Sequence, residues 1–311
     1  MNNFRKTPLS EKSWPYHIFR EYAKELQRLD MSFESISDYA KNKLNEEKLE
    51  KEKLEKEQML ENSKATYYLY THNNEELTIE EFYKTFEIFK NWNKLNKIMA
   101  LNCYFENYIK TLLDLAIKSN PEILKDNRDG IFIIKNRLSY NYTLNEYDKA
   151  INKCTKGNWK KRMNSIIEYF KIDDRKFIND WKNDDIIKLF ENIRNIRNSV
   201  GHSFGRELSS MPNWANTKID KLKLLSEKEY LEYQKIIKKF VLDLDKFVLN
   251  NHIGCFQELY YYHTIKDLDE IKKIKNKKLK AKALSYKLCN EKGRVISWNK
   301  CQDLIDYYDS I

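Results

Sequence analysis

LSEKEYLEYQKIIKKFVLDLDKFV, residues 225–248, decides the fold class. Ser226 and Glu229 stand three apart, the spacing at which a serine hydroxyl accepts from the third helical amide while the glutamate reaches back to the serine amide. Leu225 and Tyr230 flank them as a hydrophobic staple. Tyr230, Tyr233, Ile237, Phe240, Leu244 and Phe247 then follow at steps of three and four, an unbroken apolar stripe on one helical face.

The same signature recurs upstream. Thr78 and Glu81 precede Phe82, Phe86, Phe89, Trp92, Leu95 and Met99, and a second stripe continues through Leu101, Phe105, Tyr108, Leu112 and Ala116. Pro121 lies just past its end, where helices stop. Asn91, Asn93 and Asn96 predict a break or kink within this long pattern. Thr143 and Glu146 repeat the box before a helix carrying Lys149, Lys153, Lys156, Lys160, Lys161 and Arg162. Three capping boxes opening long stripes predict an all-α helical bundle. The strand-like run Ile131 to Ile134 is too short to change that, and no internal repeat is present.

Composition agrees. The 311 residues include 6 Gly and 4 Pro, too few for the turns of sandwiches and barrels or the phosphate turns of doubly wound folds. Hydrophobic residues make up 41%, with 21 Tyr and 15 Phe, enough for a sizeable core. No apolar run approaches the roughly 18 residues of a membrane span. The start, MNNFRKTPLSEKSW, lacks a signal-peptide hydrophobic stretch. The expectation is a soluble, cytoplasmic protein with no membrane partner. Five scattered cysteines without a CxxC predict reduced thiols.

Three regions are expected. Residues 1–64 form an N-terminal helical extension: Tyr16, Phe19, Ala23 and Leu26 mark an amphipathic helix over 14–29, and residues 44–62 are a charged, low-complexity helix. Its leucines at 44, 49 and 54 are five apart, which rotates each away from the last, so an exposed connecting helix is expected and no coiled coil. Residues 65–250 form the bundle, and 251–311 a basic helical tail. The net charge is +10, and between Lys266 and Lys300 there are 12 Lys/Arg against 4 Asp/Glu. Seven lysines and no acid lie from Lys272 to Lys282, so Lys272, Lys273 and Lys275 are candidate contacts to RNA phosphates, the alternative being a solvated face.

The candidate site lies at 184–202, DDIIKLFENIRNIRNSVGH. With Ile193 at zero and about 100° per residue, Ile186, Leu189, Phe190, Ile196 and Val200 fall within about 60° of it. Arg197 falls at about 40°, inside the apolar face, where a guanidinium is costly unless paired or lining a cleft or subunit contact. Gly201 stands where a C-terminal glycine turns the chain left-handed, which would bring His202 back beside Arg197. Histidine and arginine together suit cleavage of RNA by its own 2′-hydroxyl. The imidazole moves protons and the guanidinium stabilises charge on the phosphate.

Arg197-Asn198-Ser199-Val200-Gly201-His202 resembles the R-x4-6-H motif of HEPN domains, including the polar residue after the arginine. The resemblance covers roughly residues 75–250 and is closest to abortive-infection HEPN proteins. It implies a four- to five-helix bundle and a metal-independent endoribonuclease, a toxin or anti-phage effector that needs no cofactor. It also implies a homodimer with facing motifs in one composite site, and products ending in 2′,3′-cyclic phosphate. In that reading Arg197 holds the scissile phosphate, Asn198 positions it and His202 moves protons. An antitoxin, or a phage-derived trigger, would be the controlling partner. HEPN toxins silenced by a nucleotidyltransferase often carry tyrosine two residues after the histidine. Phe204 stands there and lacks the hydroxyl.

Arg194 and Arg206 are candidate substrate-binding residues; their structural alternatives are a surface pair with Glu191 and a solvated loop arginine. His252, Cys255 and His263 match no zinc spacing and lack a fourth ligand, so no metal site is expected. Tyr260, Tyr261 and Tyr262 cover several helix faces and are read as packing ahead of base stacking. No phosphate-binding glycine motif is present. The rival function is a non-catalytic helical RNA-binding or regulatory dimerisation protein.

Overall fold

The computed structural model describes residues 4–57, 68–70, 76–125, 129–135, 144–206 and 221–311. The fold is all-α, with one two-stranded exception. Helix α1 (Trp14–Glu57) leads to strands β1 (Tyr68–Tyr70) and β2 (Glu76–Thr78), paired antiparallel, and then to α2 (Ile79–Ser119). The short α3 (Gly130–Lys135) precedes α4 (Leu144–Thr155), α5 (Trp159–Tyr169), α6 (Arg175–Trp181) and α7 (Asp184–Ser203). After α8 (Glu227–Val248) come α9 (Phe256–Ile265), α10 (Asp269–Lys272), α11 (Lys277–Lys292) and α12 (Trp298–Ser310). None of the described helices is long and apolar enough to cross a membrane.

The capping box at Ser226 forms as expected. The Ser226 amide donates to Glu229 Oε2 at 3.0 Å, and the Glu229 amide donates back to Ser226 Oγ at 3.2 Å. Leu225 and Tyr230 are both buried, and the stripe behind them is buried as far as Leu244. Helix α2 begins directly after Thr78, and α4 directly after residue 143, which lies outside the described residues. Ile131 to Ile134 are helical, within α3. The two N-terminal segments expected as separate helices are joined in one continuous α1 as far as Glu57, and residues 58–62 lie outside the described residues.

The chain divides into two compact units. The first comprises Met1–Arg20, Cys103–Asn192 and Lys235–Ile311. At its centre Trp159 stacks on Phe190 at 4.5 Å and on Phe105 at 5.4 Å, while Phe240 meets Phe105, Phe190 and Trp181 edge-on. Offset stacks and edge contacts suit the aromatic quadrupole and add to the area buried. The buried Arg162 guanidinium lies 5.0 Å from the Trp159 ring and donates to Glu106 Oε1 at 2.8 Å and to the Gly157 carbonyl at 2.9 Å. Those partners offset its desolvation.

Two further features complete this unit. The N-terminal segment is held by buried polar groups: the Cys255 amide donates to the Arg5 carbonyl at 3.0 Å, Ser10 Oγ donates to Glu258 Oε1 at 3.0 Å, and Ser13 Oγ donates to Asp245. The basic C-terminal segment is helical as expected, and its inner face is apolar. Ile265, Ile271, Leu284, Leu288, Leu304 and Ile305 pack in one cluster that also holds Leu9.

The second unit comprises Glu21–Asn102 and Ile193–Gln234. Here α1 runs antiparallel to α2. Asp30 pairs with Lys97, Glu34 with Lys90 at 3.4 Å, Lys41 with Glu87 at 2.7 Å, and the Tyr83 hydroxyl donates to Asn45 at 2.7 Å. Phe33 packs edge-on against Phe89 between these polar pairs. In the segment 44–62, expected as an exposed connector, Asn45, Glu46 and Leu49 are exposed, Asn45 while accepting from the Tyr83 hydroxyl. No break interrupts α2 at its asparagines. Asn96 Nδ2 bonds back to the Trp92 carbonyl at 2.7 Å. Asn91 donates to the Lys223 carbonyl at 2.7 Å and accepts from the Leu225 amide at 2.9 Å. That amide side chain satisfies a connecting segment, which is why a poor helix former occupies mid-helix.

Candidate functional site

Helix α7 carries the Arg197–His202 hexapeptide in its last two turns. Phe190, Ile193, Ile196 and Val200 are buried, as the angular reading requires. Arg197 is half-buried on the same side. Its Nη1 donates to Asn198 Oδ1 at 3.1 Å, and no carboxylate among the described residues pairs with it. A guanidinium has five donors in a rigid fork, so the one bond to Asn198 leaves most of Arg197's capacity uncommitted among the described residues.

Gly201 does not turn the chain. It lies inside the helix with an ordinary backbone, and α7 continues through His202 to Ser203. The left-handed residues are Phe204 (φ 53°) and Gly205 (φ 81°), three residues later than expected. Glycine tolerates helical as well as left-handed backbone, and the termination is decided by what the end packs on. At φ 81° an L side chain is strained, and a Cβ on Gly205 would stand 2.9 Å from Leu95 Cδ1 and 3.3 Å from Leu222 Cδ1, so glycine is favoured where the chain leaves the helix. The Gly205 amide donates to the Ser199 carbonyl at 3.1 Å, and the Gly205 carbonyl accepts from the Lys223 amide at 2.8 Å.

Serines that had not been singled out tie down this exit. Ser203 Oγ donates to the Arg206 carbonyl at 2.8 Å, and Ser199 Oγ reaches the same oxygen at 3.2 Å. Arg206 also forms an isolated antiparallel bridge with Leu222. The signal in the sequence was the Ser199/Ser203 spacing of one helical turn.

With the helix unbroken, His202 lies ~140° around the axis from Arg197 and ~7.5 Å along it. Its imidazole is exposed. The two side chains therefore diverge, and the same-helix pairing expected from a turn at Gly201 does not form. Arg194 is half-buried one turn before Arg197, and Arg206 is exposed beyond the helix end. All five residues fall in the second unit.

Lys272, Lys273 and Lys275 are exposed and belong to the first unit. The lysine block is not one helix face: α10 ends at Lys272 and α11 begins at Lys277. Part of its charge is matched, by Asp269 to Lys273 at 3.2 Å and by Asp306 to Lys277 at 2.7 Å. Lys278 and Lys282 lie over the Trp298 ring, Lys278 at 4.9 Å. His252 is buried, its Nε2 2.7 Å from the Phe170 carbonyl and its Nδ1 3.2 Å from Asn120 Nδ2. Burial holds this imidazole below the usual histidine range. Tyr261 and Tyr262 are core residues, while Tyr260 is partly exposed. No family model matches the chain, and neither a curated protein nor a solved structure matches it.

Proposed function

We propose that this chain is a metal-independent endoribonuclease of the HEPN type, acting in the cytoplasm as a toxin or abortive-infection effector. One observation carries the reading. An Arg-Asn-x-x-x-His hexapeptide ends an amphipathic helix with its guanidinium half-buried, unpaired by any described carboxylate, and its imidazole exposed. In the reaction, neutral His202 takes the proton of the 2′-hydroxyl, whose oxygen attacks phosphorus. The P–O5′ bond breaks, and the leaving 5′-oxygen takes a proton from an imidazolium. The products are a 2′,3′-cyclic phosphate and a 5′-hydroxyl. Arg197 donates to the non-bridging oxygens as charge builds on them, the step at which a fixed cation acts most strongly.

The divergence of Arg197 and His202 bears on how such a site would be assembled. Two copies meeting through α7 would set Arg197 of one beside His202 of the other and supply the two imidazoles that acid–base catalysis uses. Exposed Met31, Ile36, Tyr39 and Phe89 on the same unit are compatible with a homodimer. The same divergence supports the second reading, a non-catalytic RNA-binding or regulatory dimerisation protein.

The test is cleavage of a labelled RNA in EDTA by wild type, Arg197→Ala and His202→Ala. General acid–base catalysis contributes about 10²- to 10⁴-fold, so each folded variant should lose at least ~100-fold. Cleavage that survives in both refutes the assignment, and absence of wild-type cleavage favours the second reading.

A further inference from the structure

Helices α4 and α5, joined by the turn 156–158, enclose an open groove of about 800 Å³ in the first unit. Lys149, Lys153, Lys156 and Lys161 line it with Asn152, Asn164 and Ser165, and Asp148 is its one acid among the described residues. The opposite faces of both helices are buried through Ala150, Ile151 and Cys154 on α4 and Trp159, Met163 and Ile166 on α5. The helices' orientation is thus set by their apolar sides, which forces the lysines together. On α4, Lys149 and Lys153 lie within about 40° of one another, ~6 Å apart along the axis, and Lys156 follows directly after the helix end, its amide donating to the Asn152 carbonyl at 2.8 Å. All four lysines are exposed, and none forms an ion pair with a described residue. Lys149 and Lys153 stand within one Debye length of about 10 Å at 0.1 M salt, so their fields add.

We infer that this groove binds the phosphate backbone of RNA. The inference deepens the ribonuclease reading and rests on it for the choice of RNA. Each lysine offers a compact point charge without the planar fork that grips a single phosphate bidentately, so a chain of phosphates suits the row better than one small anion. The asparagine and serine side chains supply donors and acceptors for sugar hydroxyls and phosphate oxygens. Among the described residues no aromatic or large apolar side chain lines the groove, which disfavours base stacking and a membrane-surface site. Binding is accordingly blind to sequence and governed by counterion release.

The test is fluorescence anisotropy of full-length protein with a labelled single-stranded RNA across 50–200 mM NaCl. Lys149→Gln, Lys153→Gln, Lys156→Gln and Lys161→Gln are combined in one variant, and the four positions are changed to arginine in another. The glutamine variant, folded by circular dichroism, should bind at least ~10-fold more weakly at 100 mM salt. Its log K against log salt should flatten by up to ~3, about 0.7 for each lost contact on a single strand. The arginine variant should retain affinity and slope. A glutamine variant with the wild-type Kd and slope overturns the proposal. So does a wild type that does not bind RNA, or one whose binding to phosphatidylserine vesicles or an acidic peptide, and not to RNA, falls with the four charges. Cleavage separates the two readings. RNA binding lost with the lysines while wild type cuts no RNA keeps the groove and removes the nuclease. Unchanged binding alongside Arg197-dependent cleavage does the reverse.

Discussion

Ser13→Ala probes the buried polar tether of the N-terminal segment. Ser13 stands just before α1, where its Oγ accepts from the Tyr16 amide at 3.2 Å as a helix cap. The same hydroxyl donates to Asp245 Oδ1, its amide donates to Asp245 Oδ2 at 3.2 Å, and its carbonyl accepts from Arg294 Nη2 at 3.1 Å. Asp245 is fully buried. Desolvation raises its carboxyl above the usual range, and the two bonds from Ser13 pull it back down. Desolvation also lowers Arg294, to about 10.

Alanine removes the hydroxyl alone. Loss of the cap costs ~1 kcal/mol at any pH. Loss of the bond to Asp245 costs ~1 kcal/mol while that carboxyl is protonated and ~1.5–3 kcal/mol once it is ionised. The folded value lies above the unfolded one of about 3.9, so Asp245 favours the fold below that pH and the benefit is lost as pH rises through the folded value. Removing Oγ raises the folded value further. The deficit of the variant is therefore ~2 kcal/mol near pH 4 and ~2.5–4 kcal/mol at pH 8. Urea unfolding followed by circular dichroism at both pH values measures it. A deficit that is constant or shrinks with rising pH refutes the assignment of Ser13 as the donor that keeps Asp245 ionisable.

Two other outcomes follow from named geometry. Phe204 holds a left-handed backbone while 75% exposed, so Phe204→Asn should relieve ~0.5–1 kcal/mol of strain at little cost in burial. Gly205→Ala, meeting Leu95 and Leu222 at φ 81°, should cost ~1–2 kcal/mol. Thermal melts check both, and equal signs would refute the strain argument. Of the five cysteines, Cys103 and Cys289 are exposed, whereas Cys154, Cys255 and Cys301 are buried and their thiols are pushed up to about 12. A thiol-reactive dye should label two per chain quickly at pH 8 and three more only after unfolding. Fast labelling of any third thiol overturns that burial.

Local chemistry determined much of this protein before any tertiary contact. Ser226 and Glu229 bond as their spacing requires, because a capping box is closed within four residues. The stripe through Phe190, Ile193, Ile196 and Val200 is buried, and Arg197 sits half-buried on its edge, because a helical angle depends only on sequence separation. Tertiary structure decided the rest. Gly201 is compatible with both helix and turn, and the chain leaves α7 at Phe204 and Gly205, where Lys223, distant in sequence, donates to the Gly205 carbonyl and Leu95 and Leu222 crowd the glycine. Asn91 reads as a helix breaker until residues 223–225 are laid against it. Nothing in the local pattern pairs Glu34 and Lys41 of α1 with Lys90 and Glu87 of α2. Periodicity names the face a residue occupies, and only the packed chain names what that face touches.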